Sequence, residues 1–399
     1  MTEIMEGVRI LDFSQEIQGP WGTAILADMG AEVIKIERRE TGELSRSAAA
    51  ADPELQGISP YFTVHNRGKK SVTLDLKQPN AVRIVHEIAA TSDVVVNNWR
   101  VGVLDRLGFG YEALRKIKPD IIFVTASTFG PKGPWATKPG RDVLGQAASG
   151  IMDVTGYEGE MPLPAGAAVA DHTSGMVEAL SILAALRYRD QTGKGQAVDV
   201  SLYGTAIAMQ AWEITHHAIT REPIRRAGRG HTLITSGTWG AFETADGHLC
   251  LGGVMPDQFP RFCQLIGAER LIEDPRFATP ETLYGNGAEL RAELDQVFPR
   301  RTTQEWLDLL EPAEILVGPI QNYDDIVDGE QALVNGYIRE VEHPAIGPIK
   351  IVGTPVAMSE ARIEPRGPAP ELGQHTEELL LELGYTWADI VRLQDEAVI

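Results

Sequence analysis

The sequence predicts an α/β protein with a large doubly wound, Rossmann-like domain and a smaller α+β domain. Short apolar runs alternate with helical patterns from the N-terminus to about residue 127, which is typical of a parallel sheet covered by helices. The opening unit is a strand at 8–13, a helix at 21–29 and a strand at 32–36. Such a unit implies parallel strands joined by a right-handed crossover.

A change of pattern marks the smaller domain. Residues 221–237 are rich in Arg and Gly with little periodicity, and Asp246-Gly247 then separates two apolar runs, as in a hairpin. We expect a large domain at 1–224, a smaller domain at 225–325, and a return segment at 326–399 that completes the large domain.

The remaining elements are expected in the following order. Strands are expected at 72–76, 93–96, 121–127 and 197–201, and helices at 80–90, 111–116, 175–188, 203–217, 289–298, 303–310, 376–384 and 387–393. Doubly wound sheets bind ligands at the carboxyl ends of their strands. The basic residues at or just beyond such ends are Arg38, Lys77, Arg100 and Arg106.

Composition and charge exclude several classes of partner. The 399-residue chain has a formal net charge of −20, which argues against nucleic acid as a ligand. Residues 1–100 hold 11 basic and 14 acidic side chains, whereas residues 301–399 hold 6 and 19, so an anionic ligand is drawn towards the first hundred residues. No long apolar run or signal peptide pattern is present, and Cys250 and Cys263 lack metal-ligand spacing. We expect a cytoplasmic protein that has no disulfide, binds no metal and does not associate with membranes.

Two stretches near the N-terminus resemble phosphate-binding or nucleotide-binding features. The basic segment 66–71 leads into a strand, and it is either a phosphate site or a solvated turn. The turn at 14–22 lacks the G-x-G-x-x-G pattern, so a nicotinamide-dependent dehydrogenase with Glu37 as the ribose acid is a weak alternative.

The stretch 166–176 carries a carboxylate in a small-residue setting. Small apolar residues run up to Asp171, where a helical pattern begins. Asp171 is either a helix N-cap or a reactive carboxylate that the helix start keeps ionised at neutral pH. Spacing alone favours the cap. A carboxylate nucleophile would suit attack on an activated acyl group through a mixed anhydride.

The chain resembles the family III CoA-transferases, the group that includes formyl-CoA transferase and carnitine CoA-transferase. The resemblance runs nearly end to end. It is carried by residues 7–12, 19–20, 30–37, 66–71, 74–77, 107–108, 166–168 before Asp171, 192–196, 274–277, 305–306, 342–344 and 369–373.

The resemblance implies a function and a site. Asp171 would be the nucleophile, an acyl-CoA thioester would be the co-substrate, a free carboxylic acid would be the acceptor, and no tightly bound cofactor would be needed. Two chains would interlock like links of a ring as a homodimer. The CoA contacts implied by position are Arg38, Leu74, Asp75, Leu76, Lys77, Asn98, Trp99, Arg100, Arg106, Lys138, Arg141 and Asp142.

Two departures from the formyl-CoA transferase pattern argue against formyl or oxalyl substrates. Ile17 stands where that group has Gln, with Gln18 next to the turn, and a Gly-Arg-Gly-His segment replaces the family's glycine loop. The residues expected to contact substrate are Gln18, Gly228, Arg229, Gly230 and His231. Arg225, Arg226 and Arg229 suggest a dicarboxylate acceptor, unless they are solvated or contact the partner chain.

The sequence leaves three functions besides CoA transfer open. The α-methylacyl-CoA racemases share the fold and pair their aspartate with the histidine of a Gly-His-Asp motif. The corresponding place here is Gly140-Arg141-Asp142, and arginine is not a general base near neutral pH, which weakens the racemase interpretation. A nicotinamide-dependent dehydrogenase and a non-catalytic CoA-binding protein also stay open.

Overall fold

The computed structural model describes residues 3–48, 55 and 57–399. Its strands are β1 (Arg9–Asp12), β2 (Glu32–Glu37), β3 (Lys70–Thr73), β4 (Val94–Asn97), β5 (Ile122–Ser127), β6 (Ala197–Ser201), β7 (Trp239–Glu243), β8 (His248–Gly252), β9 (Val317–Pro319), β10 (Ile338–His343) and β11 (Gly347–Val352). Its α-helices are α1 (Gln18–Asp28), α2 (Pro60–Asn66), α3 (Pro79–Thr91), α4 (Val103–Arg106), α5 (Tyr111–Ile117), α6 (Asp142–Ser149), α7 (Ile151–Val154), α8 (Val169–Thr192), α9 (Leu202–Ala208), α10 (Ala211–Thr220), α11 (Phe259–Leu265), α12 (Pro280–Gly285), α13 (Gly287–Leu294), α14 (Thr303–Leu310), α15 (Tyr323–Val327), α16 (Glu330–Val334), α17 (Thr376–Glu382) and α18 (Trp387–Asp395).

A six-stranded parallel sheet forms the centre of the large compact unit. Its strand order is β3-β2-β1-β4-β5-β6. The predicted doubly wound α/β architecture is therefore confirmed. The direction of winding reverses between β1 and β4, so the carboxyl ends of these two strands flank a crevice where ligands bind in such folds.

Helices bury both faces of this sheet. Successive residues of a strand point to opposite faces, and Ile10 and Leu11 of β1 are both fully buried. Ile10 belongs to the core that includes side chains of α1 and α8, and Leu11 belongs to the core that includes side chains of α3, α17 and α18. The C-terminal helices thus cover one face of the sheet that the N-terminal half of the chain builds.

The chain divides into two compact units. The first comprises residues 1–149, 166–209 and 327–399, and the second comprises residues 150–165 and 210–326. The predicted boundary at residue 225 lies within the Arg- and Gly-rich stretch 221–237, whereas the compact units divide between residues 209 and 210. The single helix expected at 203–217 is wrong, because α9 ends and α10 begins at that division.

The second unit has its own sheet and core. The strands β7, β8 and β9 are antiparallel, and the predicted hairpin around Asp246-Gly247 is confirmed. Phe242, Phe298 and Trp306 are buried together at its centre.

The helices α1 and α8 approach each other closely through two glycines. A Cβ atom on Gly175 would lie 2.7 Å from the carbonyl oxygen of Gln18, and one on Gly22 would lie 2.8 Å from the carbonyl oxygen of Gly175. Any larger side chain would therefore push the two backbones apart. This contact holds the N-terminal half of α8, which carries Asp171, against α1.

Candidate active site

Asp171 is the third residue of α8, and Ala168 is the residue that precedes the helix. The prediction that Asp171 caps this helix is therefore wrong. The cap comes from Asp142, the first residue of α6, whose Oδ1 accepts hydrogen bonds from the backbone N–H of Ala170 (2.8 Å) and of Asp171 (3.1 Å). Gln146 donates to the other oxygen of Asp142 at 2.5 Å. Asp142 is engaged in holding the first turn of α8.

The Asp171 carboxyl group has a higher pKa than an ordinary aspartate. Burial first, and then the carboxylates of Asp142 and Glu16, raise the pKa of Asp171 to about 7, with Arg141 acting in the opposite direction. Within residues 3–48, 55 and 57–399, no side chain donates a hydrogen bond to it. We expected the helix start to keep Asp171 ionised at neutral pH, but burial and like charges outweigh the helix dipole, so a pKa of about 7 leaves the carboxylate only partly ionised there.

The loop after β1 brings a third acid, Glu16, to this site, and its arginine partner directly precedes α6. Glu16 has a left-handed backbone, with φ of 65°, and its Oε1 lies 3.2 Å from Nη2 of Arg141. Burial and the carboxylates of Glu16 and Asp171 raise the pKa of Tyr61, so its phenol stays protonated. Tyr61 is a site residue that sequence reasoning missed, because nothing in its local pattern distinguishes it from a packing aromatic.

The histidine beside Asp171 contacts another histidine. His172 and His65 face each other with their Nε2 atoms 3.2 Å apart, and both rings pack edge-on against Trp21. Nδ1 of His65 donates to the carbonyl of Tyr61 in α2, and Nδ1 of His172 donates to the carbonyl of Ala168, which directly precedes α8. Burial lowers the pKa of His65 to about 3. These contacts occupy both rings in packing α2 against α8.

Five of the twelve positions implied as CoA contacts are exposed cations that form no ion pair within the part of the chain that the structure describes. They are Arg38, Lys77, Arg100, Arg106 and Lys138. Arg38 directly follows β2, and Lys77 and Arg100 lie a few residues beyond β3 and β4, so these three lie beyond the carboxyl ends of their strands. Nζ of Lys138 lies 5.1 Å from the ring centre of Trp135. Unpaired cations at such ends are suited to phosphate groups.

Asn98 and Trp99 use their polar side-chain atoms within the protein. Oδ1 of Asn98 accepts from the N–H of Gln15 at 2.9 Å, and its amide donates to the carbonyl of Gln15 at 2.6 Å. Nε1 of Trp99 donates to the carbonyl of Phe13 at 2.7 Å. These bonds fasten the loop after β1 to the loop after β4. The remaining implied contacts include Leu74, which is buried, and Asp75 and Leu76, which are partly buried.

The basic segment 66–71 is neither a phosphate site nor a solvated turn. Arg67 is fully buried and bonds to Asp28 at 2.7 Å, and Lys69 is buried and bonds to Asp12 at 3.0 Å. Lys70 pairs with carboxylates at the protein surface. Both interpretations are wrong, because the acidic partners come from distant parts of the chain.

The expected substrate residues lie in different compact units. Gln18 is buried in the first unit, and its Nε2 donates to the carbonyl of Val200 at 3.0 Å. The others, Gly228, Arg229, Gly230 and His231, lie in the second unit. There Arg229 pairs with Asp295 at 2.7 Å, and His231 bonds to Glu213 at 2.9 Å.

The other two arginines of the second unit that suggested a dicarboxylate are also paired. Arg225 lies 3.5 Å from Glu158, and Arg226 lies 3.4 Å from Asp153. With Arg229, all three arginines therefore have an acidic partner. An incoming carboxylate would have to compete with these existing pairs.

Over the described residues, no group of three or more His, Cys, Asp or Glu side chains is arranged to hold a metal ion. In the same part of the chain, no helix combines the length and apolar character needed to cross a membrane.

The comparisons with known proteins show that the chain is a CoA-transferase. The chain matches CoA-transferase family III over residues 5–376, and it belongs to that family. A succinyl-CoA:glutarate CoA-transferase of Mus musculus is 37% identical, covering 95% of this chain and 86% of the mouse protein. A succinate–glutarate CoA-transferase of Agrobacterium fabrum is 32% identical over 95% of each chain. The crystal structure of a CAIB/BAIF family protein from Brucella suis superposes with a TM-score of 0.87 at 28% identity, covering 96% of this chain and all of that one.

Proposed function

We propose that the protein moves CoA from an acyl-CoA to a free carboxylic acid, with Asp171 as the nucleophile. The observation that carries this proposal is the state of the Asp171 carboxylate. It lies at the start of α8 without a hydrogen-bond donor among the described residues, and its pKa is raised to about 7. A carboxylate with a pKa near neutrality is more basic than an ordinary aspartate while still being ionised in part.

The proposed reaction consists of two exchanges. Ionised Asp171 attacks the thioester carbonyl, a C–O bond forms and the C–S bond breaks, so CoA leaves as a thiolate and the acyl group stays on Asp171 as a mixed anhydride. The thiolate attacks the aspartyl carbonyl of that anhydride and releases the donor acid as a carboxylate, which leaves an aspartyl-CoA thioester. The acceptor carboxylate then attacks the aspartyl-CoA thioester and displaces CoA thiolate, which gives a second anhydride. The thiolate attacks the acceptor carbonyl of that anhydride, so the acceptor leaves as its CoA thioester and the Asp171 carboxylate is regenerated.

Asp142 would act as a positioning residue in this reaction, since its side chain caps the turn that carries Asp171. The family resemblance implies a CoA contact for Asp142 and Arg141. Their observed partners favour a role at the reacting carboxylate instead, because Asp142 bonds to the backbone of α8 and Arg141 pairs with Glu16.

The CoA phosphates would be bound by the five exposed cations named above. Arg38, Lys77 and Arg100 follow three strands of one parallel sheet, and all five cations lie in the first compact unit. None has an acidic partner within the described ranges. This supports a bound polyanion at these strand ends.

For the acceptor, we propose a small dicarboxylate. The support is that the mouse and Agrobacterium relatives are named for glutarate, a dicarboxylate. Arg229 is a weak candidate for the second carboxylate because Asp295 occupies its guanidinium. The ratio of activity with dicarboxylates to that with monocarboxylates should therefore stay unchanged in Arg229→Ala. A ratio that falls to one would show that Arg229 binds the second carboxylate.

We also propose that the protein acts as the interlocked homodimer that the family resemblance implies. A set of large apolar side chains is largely exposed in each unit, which is expected of surfaces that a second chain covers. They include Met161, Leu180, Ile219, Leu316, Tyr323 and Val334. Light scattering on a gel-filtration column should give twice the mass of one chain, and a monomeric mass would refute the dimer.

The nucleophile is tested by intact-protein mass analysis after mixing with acyl-CoA. Wild-type protein should gain the mass of an aspartyl-CoA thioester, and hydroxylamine should convert Asp171 to a hydroxamate. Asp171→Asn should show neither adduct nor transfer. The matched control is Asp190→Asn, an exposed acid near the other end of the same helix, which should behave as wild type. Full transfer activity in Asp171→Asn would overturn the mechanism.

A further inference from the structure

Lys69, the buried lysine of the segment 66–71, makes all its hydrogen bonds to protein atoms rather than to solvent. Nζ of Lys69 lies 3.0 Å from each of three acceptors, namely Oδ2 of Asp12, the carbonyl of Pro20 and Oδ1 of Asn66. A charged ammonium group has three donors and no acceptor. The three acceptors therefore match the protonated form of Lys69 and leave no donor unused.

Two of these acceptors lie at opposite ends of the loop between β1 and α1. Asp12 is the last residue of β1, and Pro20 lies in the first turn of α1. Asp12 also accepts from the N–H of Ser14 at 2.8 Å and from the hydroxyl of Thr23 at 2.9 Å. The ammonium group of Lys69 thus bonds both to the end of β1, where the loop begins, and to the first turn of α1, where it ends.

A second buried lysine supports the same loop from β2. Nζ of Lys35 donates to the carbonyl of Ser14 at 2.8 Å and pairs with Glu43 at 2.9 Å. The middle of the loop then carries Glu16, whose carboxylate pairs with Arg141 beside the cap of α8.

We propose that Lys69 is a positioning residue for Asp171, acting through the segment 13–20 and the Glu16–Arg141 pair, whose charges both act on Asp171. This inference rests on the proposed role of Asp171. It also gives the basic segment 66–71 a role inside the protein, because its buried lysine would fix a loop of the candidate active site.

The surroundings of Lys69 make its proton responsive to pH. The titratable groups that interact with it are Asp12 from β1, Lys35 from β2, Glu43 after β2, His65 from α2 and Glu178 from α8. Burial lowers the pKa of Lys69 to about 8, against the attraction of Asp12. Burial acts to raise the pKa of Asp12, but Lys69 and Lys35 outweigh it and lower that pKa to about 2, so Asp12 stays ionised.

Loss of the Lys69 proton removes one of three donors. The neutral amine offers two donors to three acceptors, so one of Asp12, Pro20 and Asn66 loses its bond. We expect kcat to decline as the pH rises through about 8, while the KM for acyl-CoA stays constant, because the loop positions the nucleophile and the exposed cations bind CoA.

The test compares Lys69→Arg and Lys69→Met with the same substitutions at Lys70, the neighbouring lysine that pairs at the surface. Arginine stays protonated at all accessible pH values, so Lys69→Arg should lose the alkaline decline of kcat and keep the acid limb. Lys69→Met should lower kcat by about ten- to a hundredfold through misplacement of the loop. Both Lys70 variants should keep the wild-type profile.

A measurement on wild-type protein covers the case in which the Lys69 variants do not fold. Hydrogen exchange of the peptide 13–20, corrected for the intrinsic pH dependence, should accelerate between pH 7 and pH 9 more than that of peptides from β5. Unchanged exchange, or a wild-type kcat in folded Lys69→Met, would overturn the inference. Asp171→Asn is assayed in parallel. Transfer activity in that variant would refute the proposed nucleophile, whereas unchanged hydrogen exchange of the peptide 13–20 would refute the role of Lys69. The two failures are therefore distinguishable.

Discussion

Glu16→Gln tests whether the like charges around Asp171 control its reactivity. The pKa of Asp171 lies at about 7, compared with 3.8 for an ordinary aspartate. This difference of about 3 units corresponds to roughly 4 kcal/mol against the ionised form. Burial, Asp142 and Glu16 cause it, and Arg141 opposes it. Glu16→Gln removes one negative charge and also frees Arg141 from its partner, so both changes favour ionised Asp171.

We expect the substitution to lower the pKa of Asp171 by about one unit. At pH 6 the ionised fraction would then rise from about one tenth to about one half, and kcat/KM should rise about fivefold. At pH 8.5 Asp171 is ionised in both proteins, and their rates should agree. The assay is the initial rate of CoA transfer between pH 5.5 and 8.5.

Glu112→Gln is the matched control for this substitution, because Glu112 pairs with Arg115 at the same 3.2 Å on an exposed helix surface. Its acid limb should coincide with that of wild type. An acid limb that stays in place in Glu16→Gln, or a rate change of equal size at every pH, would refute the electrostatic reasoning.

Three further outcomes follow from the same structure. Because the pKa of Asp171 is raised, its ionisation lowers the stability of the folded protein as the pH rises from about 4 to about 7. The free energy of unfolding of Asp171→Asn should therefore exceed that of wild type by about 2–4 kcal/mol at pH 8 and match it at pH 4. Equal values at pH 8 would contradict this reasoning. Arg100→Ala with Arg106→Ala should raise the KM for acyl-CoA about tenfold with kcat unchanged, and a loss confined to kcat would contradict the phosphate role. Arg67→Met leaves Asp28 buried without its cationic partner and should cost about 3–5 kcal/mol in chemical unfolding, which Arg67→Met with Asp28→Leu should largely restore.

The fold could be predicted from the sequence because its signals are local. The largely apolar runs in 93–96 and 121–127 predict buried strands, and strands lie there in the structure. The glycine at position 30 ends α1 with a left-handed backbone, φ of 111°. Strand order could not be predicted in this way, since neighbouring strands need not be consecutive in the chain. The break between α9 and α10 has no local signal, because residues 203–217 have an uninterrupted helical composition.

The sequence points to one residue of the candidate site but not to the contacts of that residue. The family resemblance makes Asp171 the expected nucleophile, whereas its local setting alone favours a helix cap. The group that caps its helix lies 29 residues earlier, at Asp142. Lys69 and Asp12 are 57 residues apart, so the sequence alone shows a basic loop where the fold has a buried ion pair. Local pattern reports the charge of a side chain and not its partner, and the partner decides whether the charge is available to a ligand.

The separation of charge within the first unit bears on how the proposed reaction proceeds. Three of the exposed cations, Arg38, Lys77 and Arg100, lie beyond strand ends, whereas Asp171 is close to two other carboxylates that disfavour its negative charge. Acylation of Asp171 converts it to a neutral ester-like group and removes this repulsion, so the anhydride and the thioester gain stability relative to the free carboxylate. The like-charge cluster would then favour the covalent intermediates over the resting enzyme. Glu16→Gln should consequently reduce the fraction of protein trapped as aspartyl-CoA thioester at pH 8.5, where its overall rate equals that of wild type.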